Sequence, residues 1–125
     1  MPDWTTEQLD HIGGAEQLEI TTARDDGSWR SWLPIWVVRA GDELFVRSYR
    51  GDRGAWYRHA TRRARGRVRA GGVEYDVGFV QATDVPATAV DDAYRAKYGR
   101  YAGSHLDPMV SDRAAATTLQ LIPQN

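Results

Sequence analysis

Three tight-turn signals punctuate the chain: Asp25-Asp26-Gly27-Ser28, Ala40-Gly41-Asp42 and Gly71-Gly72. Connections this short fold a strand back beside its predecessor, because a parallel pair needs a crossover of about a dozen residues or more. The runs between them have strand chemistry. Leu18 to Ala23 alternates, Trp29 to Arg39 is rich in aromatic and β-branched residues, and Glu43 to Ser48 follows; these three predict an antiparallel meander. Gly66 to Ala70, Val73 to Ala82 and Thr117 to Ile122 read as three more strands. Pro34 lacks an amide N–H, so its strand should lie at an edge or carry a bulge. Six antiparallel strands predict a small barrel, and the βαβ alternation of a parallel sheet is absent.

Helices flank these strands. Thr5-Thr6-Glu7-Gln8 predicts a capping box, with a short helix to about Ile12 that Gly13-Gly14 stops. A helix near 55–63 follows Gly54. Another starts after Thr88, where Thr88-Ala89-Val90-Asp91 resembles a cap, and Ser104 to Asp112 reads as helix or turn with Pro108 behind a cap at Asp107. The expected organisation is one domain over 1–125: an N-terminal helix in 1–14, main barrel strands in 17–82, helices in 88–112 and a closing strand in 116–122. The absence of cysteine excludes disulfides, thiol catalysis and Cys-ligated zinc. The chain has no bilayer-length apolar run, and its start lacks the basic and apolar segments of a signal peptide, so a cytoplasmic location is expected.

The chemistry concentrates where Phe45-Val46-Arg47-Ser48-Tyr49-Arg50-Gly51-Asp52-Arg53-Gly54 leads into Ala55-Trp56-Tyr57-Arg58-His59-Ala60. A strand, a basic glycine loop and a helix start make an anion site: glycines admit close approach, helix N-terminal N–H groups are free, and guanidinium forks grip phosphate. Arg47, Arg53, Ser48 and backbone near Gly51 and Gly54 could form such a cradle, or the loop could be a solvated basic hairpin end. The net charge of −1 hides the local excess of Arg47, Arg50, Arg53, Arg58, Arg62, Arg63, Arg65, Arg67 and Arg69, among which Asp52 is the only acid. This run reads mainly as a solvated helical face, with phosphate-mediated nucleic-acid binding as the competing reading.

The pattern Phe45-x-x-Ser48-x-x-x-x-Arg53-Gly54, followed by a helix and a strand, resembles the pyridoxamine-phosphate-oxidase-like split β-barrel superfamily. Ile20 to Gly27 is similar to that superfamily's first strand and turn, and Leu33 to Val38 to its Pro-Val-Trp strand. Val90 to Gly99 resembles the late helix of its deazaflavin-dependent, nitroreductase-like branch. The whole chain is similar to a group of short bacterial proteins of this fold that form a domain of unknown function. In this chain Arg53 stands for the usual Lys, and Asp52 replaces a small residue.

The resemblance implies a mainly β (α+β) fold, a six-stranded antiparallel split β-barrel with short flanking helices, and a homodimer with its cofactor near the subunit interface. It implies FMN or a deazaflavin coenzyme as cofactor, with Arg47, Ser48, Arg50, Arg53 and Gly54 on the phosphate. Trp32, Pro34 and Trp36 would border the ring, on the expectation that Trp32 and Trp36 share one strand face and Trp29 the other. Trp56, Tyr57 and Tyr98 would border the substrate. The activity expected is hydride transfer to or from a small organic molecule, the protein supplying orientation and electrostatics. His11, His59 and His105 lack metal spacing and read as surface or capping groups, with His59 a weak candidate for the anion site. Tyr94, Tyr98 and Tyr101 fall at helical spacing and read as packing. Two other functions fit the residues: a cofactor-independent ligand-binding or cyclase-type barrel, favoured by the Asp52 and Arg53 departures, and a non-enzymatic Arg-rich nucleic-acid or interaction module.

Overall fold

In the computed structural model, which describes residues 4–82, 85–99 and 106–124, local signals set the first elements. Thr5 Oγ1 accepts from the Gln8 N–H at 3.1 Å and Gln8 Oε1 accepts from the Thr5 N–H at 2.9 Å, closing the capping box of α1 (Thr6–Gly13). Leu9 and Ile12 of α1 enter the core. Strand β1 (Leu18–Thr21) leads to the Asp25–Ser28 turn. There Gly27 takes φ 90°, and the Asp26 carboxylate accepts from the Ser28 N–H and hydroxyl. The Ser28 side-chain and backbone bonds together hold Asp26 below the usual carboxylate range.

The expected strand from Trp29 to Arg39 is two strands, so the sheet has seven rather than six. β2 (Leu33–Ile35) and β3 (Val38–Ala40) are separated at Trp36 and Val37. The cause lies far along the chain. The Val37 carbonyl accepts from Lys97 Nζ at 2.7 Å and from Tyr98 Oη at 3.1 Å, and the Val37 N–H donates to Tyr98 Oη at 3.3 Å. Side chains of a helix thus take the groups that a continuing strand would have given to its ladder.

After β4 (Glu43–Val46) come a 3₁₀ turn (Gly51–Arg53), α2 (Ala55–Arg63), β5 (Arg65–Ala70), β6 (Val73–Gln81) and α3 (Ala87–Tyr98). A second 3₁₀ turn (Asp107–Val110), α4 (Asp112–Ala115) and β7 (Leu119–Pro123) complete the order. All pairings between these strands are antiparallel, in the order β2-β1-β5-β6-β7-β4-β3. Pro34 sits in β2 at one edge of that order. The two end strands are joined by two residues only, so the sheet must roll on itself into a split β-barrel. The predicted meander therefore survives pair by pair, β1 with β2 and β3 with β4, but its middle strand is divided between opposite edges.

One apolar cluster fills the barrel, including Ile12, Leu18, Ile20, Val37, Leu44, Val46, Val68, Val77, Leu119 and Leu121. A second packs α3 outside it, with Val90, Tyr94 and Tyr98 on Val38 and Phe45, and Leu106 and Met109 beside them. α3 begins one residue before Thr88, behind Pro86 and without a side-chain cap; Asp91 turns inward instead. The second 3₁₀ turn likewise has no side-chain cap. Tyr101, Ser104 and His105 lie outside the described residues, as do the side chains of Asp52 and Asp107. Among the described residues no helix is long and apolar enough to cross a membrane.

Candidate functional site

Between β4 and α2 the chain makes a built loop. Arg47 is 1% exposed and its guanidinium faces inward. Its Nε donates to Thr118 Oγ1 at 2.8 Å, Nη1 to the Met109 carbonyl at 3.0 Å and to the Asp91 carboxylate, and Nη2 to the Ala87 carbonyl at 3.1 Å. Arg47 thus ties the end of β4 to α3 and to the chain before β7, and four of its five N–H groups are engaged there. The next backbone N–H, of Ser48, donates to Thr117 Oγ1 at 2.9 Å. Gly51 takes φ +63°, which favours glycine, and a Cβ added there would stand 2.5 Å from the Arg113 side chain. Arg113 also donates to the Arg50 carbonyl at 2.8 Å.

Ser48 is 1% exposed, and its Oγ has no hydrogen-bond partner among the described residues. It points at Gly54, where an added Cβ would stand 2.3 Å from that oxygen. Gly54 is the N-cap of α2, with no side-chain cap on the helix. The first N–H groups of α2 are therefore open beside an orphaned hydroxyl, and the helix dipole adds positive potential. An unpaired buried hydroxyl costs about 1–3 kcal/mol. Such a cost persists where a ligand atom completes the bond. Arg50 and Arg53 are exposed at the same place and form no ion pair among the described residues.

This loop is one end of a cleft of about 580 Å³, lined by Gln17, Leu33–Trp36, Arg47–Arg50, Arg53–Trp56 and Met109. That volume lies within the range of small-molecule sites, about 300–1,000 Å³. The rest of the lining is largely apolar, with Leu33, Pro34, Ile35, Trp36, Trp56 and Met109. Trp36 is held flat by stacking on Tyr98, with centroids 4.0 Å apart and planes 3° from parallel. The Tyr98 hydroxyl sits between the Glu16 and Val37 carbonyls, so it is fixed behind the wall and does not face the cleft.

The structure thus brings Ser48, Arg50, Arg53, Gly54, Pro34, Trp36 and Trp56 to one cavity, with Arg47 and Tyr98 as buried supports. Trp32 and Tyr57 lie outside it. The expected face sharing is reversed: Trp29 stacks on Arg67 at 4.4 Å and Trp32 on Arg69 at 4.3 Å, two positions on one face of β5, while Trp36 turns to Tyr98. The segment from Trp29 to Trp32 is not a regular strand, so its period-two alternation does not hold. Tyr57 Oη accepts from Gln81 Nε2 at 3.2 Å. Leu33, Ile35, Gln17 and Met109 escaped the sequence reading because only the roll of the sheet brings them to the loop, whereas Tyr49 lies within the loop itself. Several arginines of the basic run are neutralised in place: Arg62 and Arg63 by Asp25, Arg67 by Asp76 and Arg69 by Glu19. His11 Nε2 bonds the Ala70 carbonyl at 2.8 Å. His59 lies outside the cleft lining.

A positive, hydroxyl-lined end and a flat aromatic wall suit a ligand that carries an anion on a planar ring system. Residues 8–121 match a protein family described as "Uncharacterized protein conserved in bacteria (DUF2255)". No curated protein matches the sequence. Among solved structures, the chain is similar to a candidate pyridoxamine 5'-phosphate oxidase from Listeria innocua, at 10% identity and TM-score 0.64 over 95% of this chain and 92% of that one. It is similar to an F420 reductase, at 15% identity and TM-score 0.58 over 94% and 93% of the two chains. It is also similar to an FAD-binding protein from Mesorhizobium loti, at 15% identity and TM-score 0.58 over 98% and 91%. These likenesses establish the shared split-barrel fold.

Proposed function

We propose that this chain, which belongs to the DUF2255 family, binds a flavin-type cofactor in the cleft and acts as an oxidoreductase on a small organic substrate. The observation that carries this reading is the buried, unpartnered Ser48 Oγ facing Gly54 at the uncapped start of α2. A phosphate oxygen there would accept from the hydroxyl and from the first N–H groups of the helix. Arg53 and Arg50 would close over the remaining oxygens. Pro34, Trp36 and Trp56 would border the ring, and the Tyr98 stack would keep Trp36 in plane. Arg47 has a positioning role, holding the loop to α3 through Asp91. Bound in this cleft, FMN or a deazaflavin coenzyme would supply hydride transfer, the chemistry that no side chain here provides. Structures of this fold include an F420 reductase and an FAD-binding protein, which agrees with the reading.

A homodimer completes the proposal. Leu33 is 43% exposed and Tyr49 55% exposed beside the cleft, so a second copy seated there would cover apolar surface and narrow the mouth.

The test is titration with FMN and, separately, with a deazaflavin coenzyme, followed by fluorescence and absorbance. Saturable binding at micromolar concentration or below is expected for one of them. Arg53→Ala should weaken that binding by about 1.5–3 kcal/mol, the worth of a hydrogen bond to a charged group. Binding of neither cofactor to the folded protein would refute the oxidoreductase reading and leave a cofactor-independent apolar cleft in its place.

A further inference from the structure

Two successive hydroxyls behind the loop have their donor directions fixed. Thr117 and Thr118 stand between α4 and β7, and both are buried. Thr117 Oγ1 donates to the Ala114 carbonyl at 2.7 Å, and Thr118 Oγ1 donates to the Ala115 carbonyl at 2.7 Å. A hydroxyl carries one proton, so each oxygen has only lone pairs left to offer. Thr118 Oγ1 accepts from Arg47 Nε at 2.8 Å, and Thr117 Oγ1 accepts from the Ser48 N–H at 2.9 Å. Two neighbouring residues at the end of β4 are thereby fixed by two neighbouring hydroxyls before β7.

The short helix behind Thr117 is itself anchored. Ser111 Oγ accepts from the Ala114 N–H at 3.2 Å and donates to the Pro108 carbonyl at 2.7 Å. The Ala114 carbonyl also accepts from the Thr117 N–H at 2.9 Å. On the loop side, the Ser48 carbonyl accepts from the Gly51 N–H at 3.0 Å, and the Gly51 carbonyl from the Gly54 N–H at 3.2 Å. Ser48 Oγ has no bond of its own among the described residues, so its direction follows from the backbone that carries it. The N–H side of that backbone is held by Thr117.

We propose that Thr117 is a positioning residue of the anion cradle: by holding the Ser48 N–H it aims Ser48 Oγ at Gly54 and the start of α2, where the ligand's anion is taken. Thr117 is not among the residues lining the cleft, so it acts through Ser48 rather than on the ligand. This role rests on the reading of the loop as an anion site and is independent of the ring system that the anion carries.

Thr117→Val keeps the shape and removes the acceptor, whereas Thr117→Ser keeps the acceptor. Amide exchange followed by NMR needs no ligand. The Ser48 N–H should exchange faster in Thr117→Val and stay protected in Thr117→Ser. Titration with inorganic phosphate, followed on the Ala55 and Trp56 amide signals, should then show an affinity about tenfold or more lower in Thr117→Val, as expected when a group that fixes a binding site is lost. Thr117→Ser should bind like the wild type. Ile12→Val, a core change on α1, should lower the melting temperature and leave phosphate affinity unchanged, which separates positioning from general loss of stability. In a Ser48→Ala background, Thr117→Val should cost little further affinity, because the group it aims is gone. Wild-type phosphate affinity in Thr117→Val, or the same loss with and without Ser48, overturns the proposal. If Thr117→Val does not fold, Thr117→Ala admits water to the Ser48 N–H and carries the same expectations. Phosphate bound through Thr117 by a protein that takes neither FMN nor a deazaflavin would uphold the role and refute the flavin reading. A folded wild type that binds no phosphate has no cradle to position, which overturns the inference.

Discussion

A methyl group at position 54 would meet Ser48 Oγ at 2.3 Å and the Gly51 carbonyl at 3.4 Å, so the cradle depends on the absence of a single carbon. Gly54→Ala should therefore lose flavin binding by about tenfold or more, since the displaced Ser48 hydroxyl and helix start no longer converge. Pairing it with Ser48→Ala removes the closest clash. The double variant should recover the stability lost by Gly54→Ala, read by thermal unfolding, but not the binding; recovery of both would detach the cradle from the cofactor. A second residue-scale expectation concerns Lys97, the only lysine of the chain. Its Nζ donates to the Val37 carbonyl at 2.7 Å, and burial pushes its pKa down to about 8, against a smaller opposing pull from Glu16. A depressed base binds fewer protons folded than unfolded between about pH 8 and its ordinary value of about 10.4. Its contribution to stability therefore rises across that window and is least favourable below pH 8. Denaturation of the wild type and of Lys97→Met at pH 7.5 and 10 should show the difference shifting in favour of the wild type at the higher pH. A difference independent of pH would mean that Lys97 titrates as an ordinary surface lysine.

Elements are tied together chiefly by Arg47, which joins β4, α3 and the approach to β7. Asp91 is its one carboxylate partner among the described residues, and the pair lies mostly out of water. Asp91→Ala leaves that guanidinium buried without its counter-ion, which should cost about 3–5 kcal/mol in chemical denaturation. Arg47→Met with Asp91→Leu removes both charges and should cost less than the single change. If Asp91→Ala unfolds like the wild type, water reaches Arg47 and the tie is dispensable. Nothing near Arg47 in the sequence marks this burial, because its partners stand 40 to 71 residues away. The same holds for the strand break at Val37, whose partners Lys97 and Tyr98 are 60 and 61 residues distant. By contrast, the capping box at Thr5 and the Asp25–Ser28 turn have their determinants within four residues and were legible. The candidate cleft divides along the same line. Ser48, Arg53 and Gly54 form a contiguous loop with its own local chemistry, whereas Leu33, Ile35 and Met109 join it only after the sheet has rolled.

At the scale of the whole molecule, the roll that joins β2 to β3 through Trp36 and Val37 also decides which strands lie at the edges of the sheet order. β2 is an edge strand of three residues, and the cleft opens beside it. Edge strands present unpaired backbone groups, which proteins cover or blunt. Pro34 blunts this one, but the exposed Leu33 and Tyr49 beside it do the opposite and add apolar surface. A second copy related by a two-fold axis would bury the same residues on both chains, which is the usual geometry of small homo-oligomers. Sedimentation equilibrium should then give twice the chain mass for the wild type and the single chain mass for Leu33→Asp, with unchanged far-ultraviolet circular dichroism in the variant. Cofactor affinity separates the two roles that the covered surface could have. If the partner helps to enclose the cleft, Leu33→Asp should weaken flavin binding, and the wild-type affinity should fall on dilution below the dimer dissociation constant. If the wild type sediments as a single chain at tens of micromolar with cofactor bound, the cleft closes on its ligand from one chain alone, and the exposed Leu33 and Tyr49 would face the substrate instead.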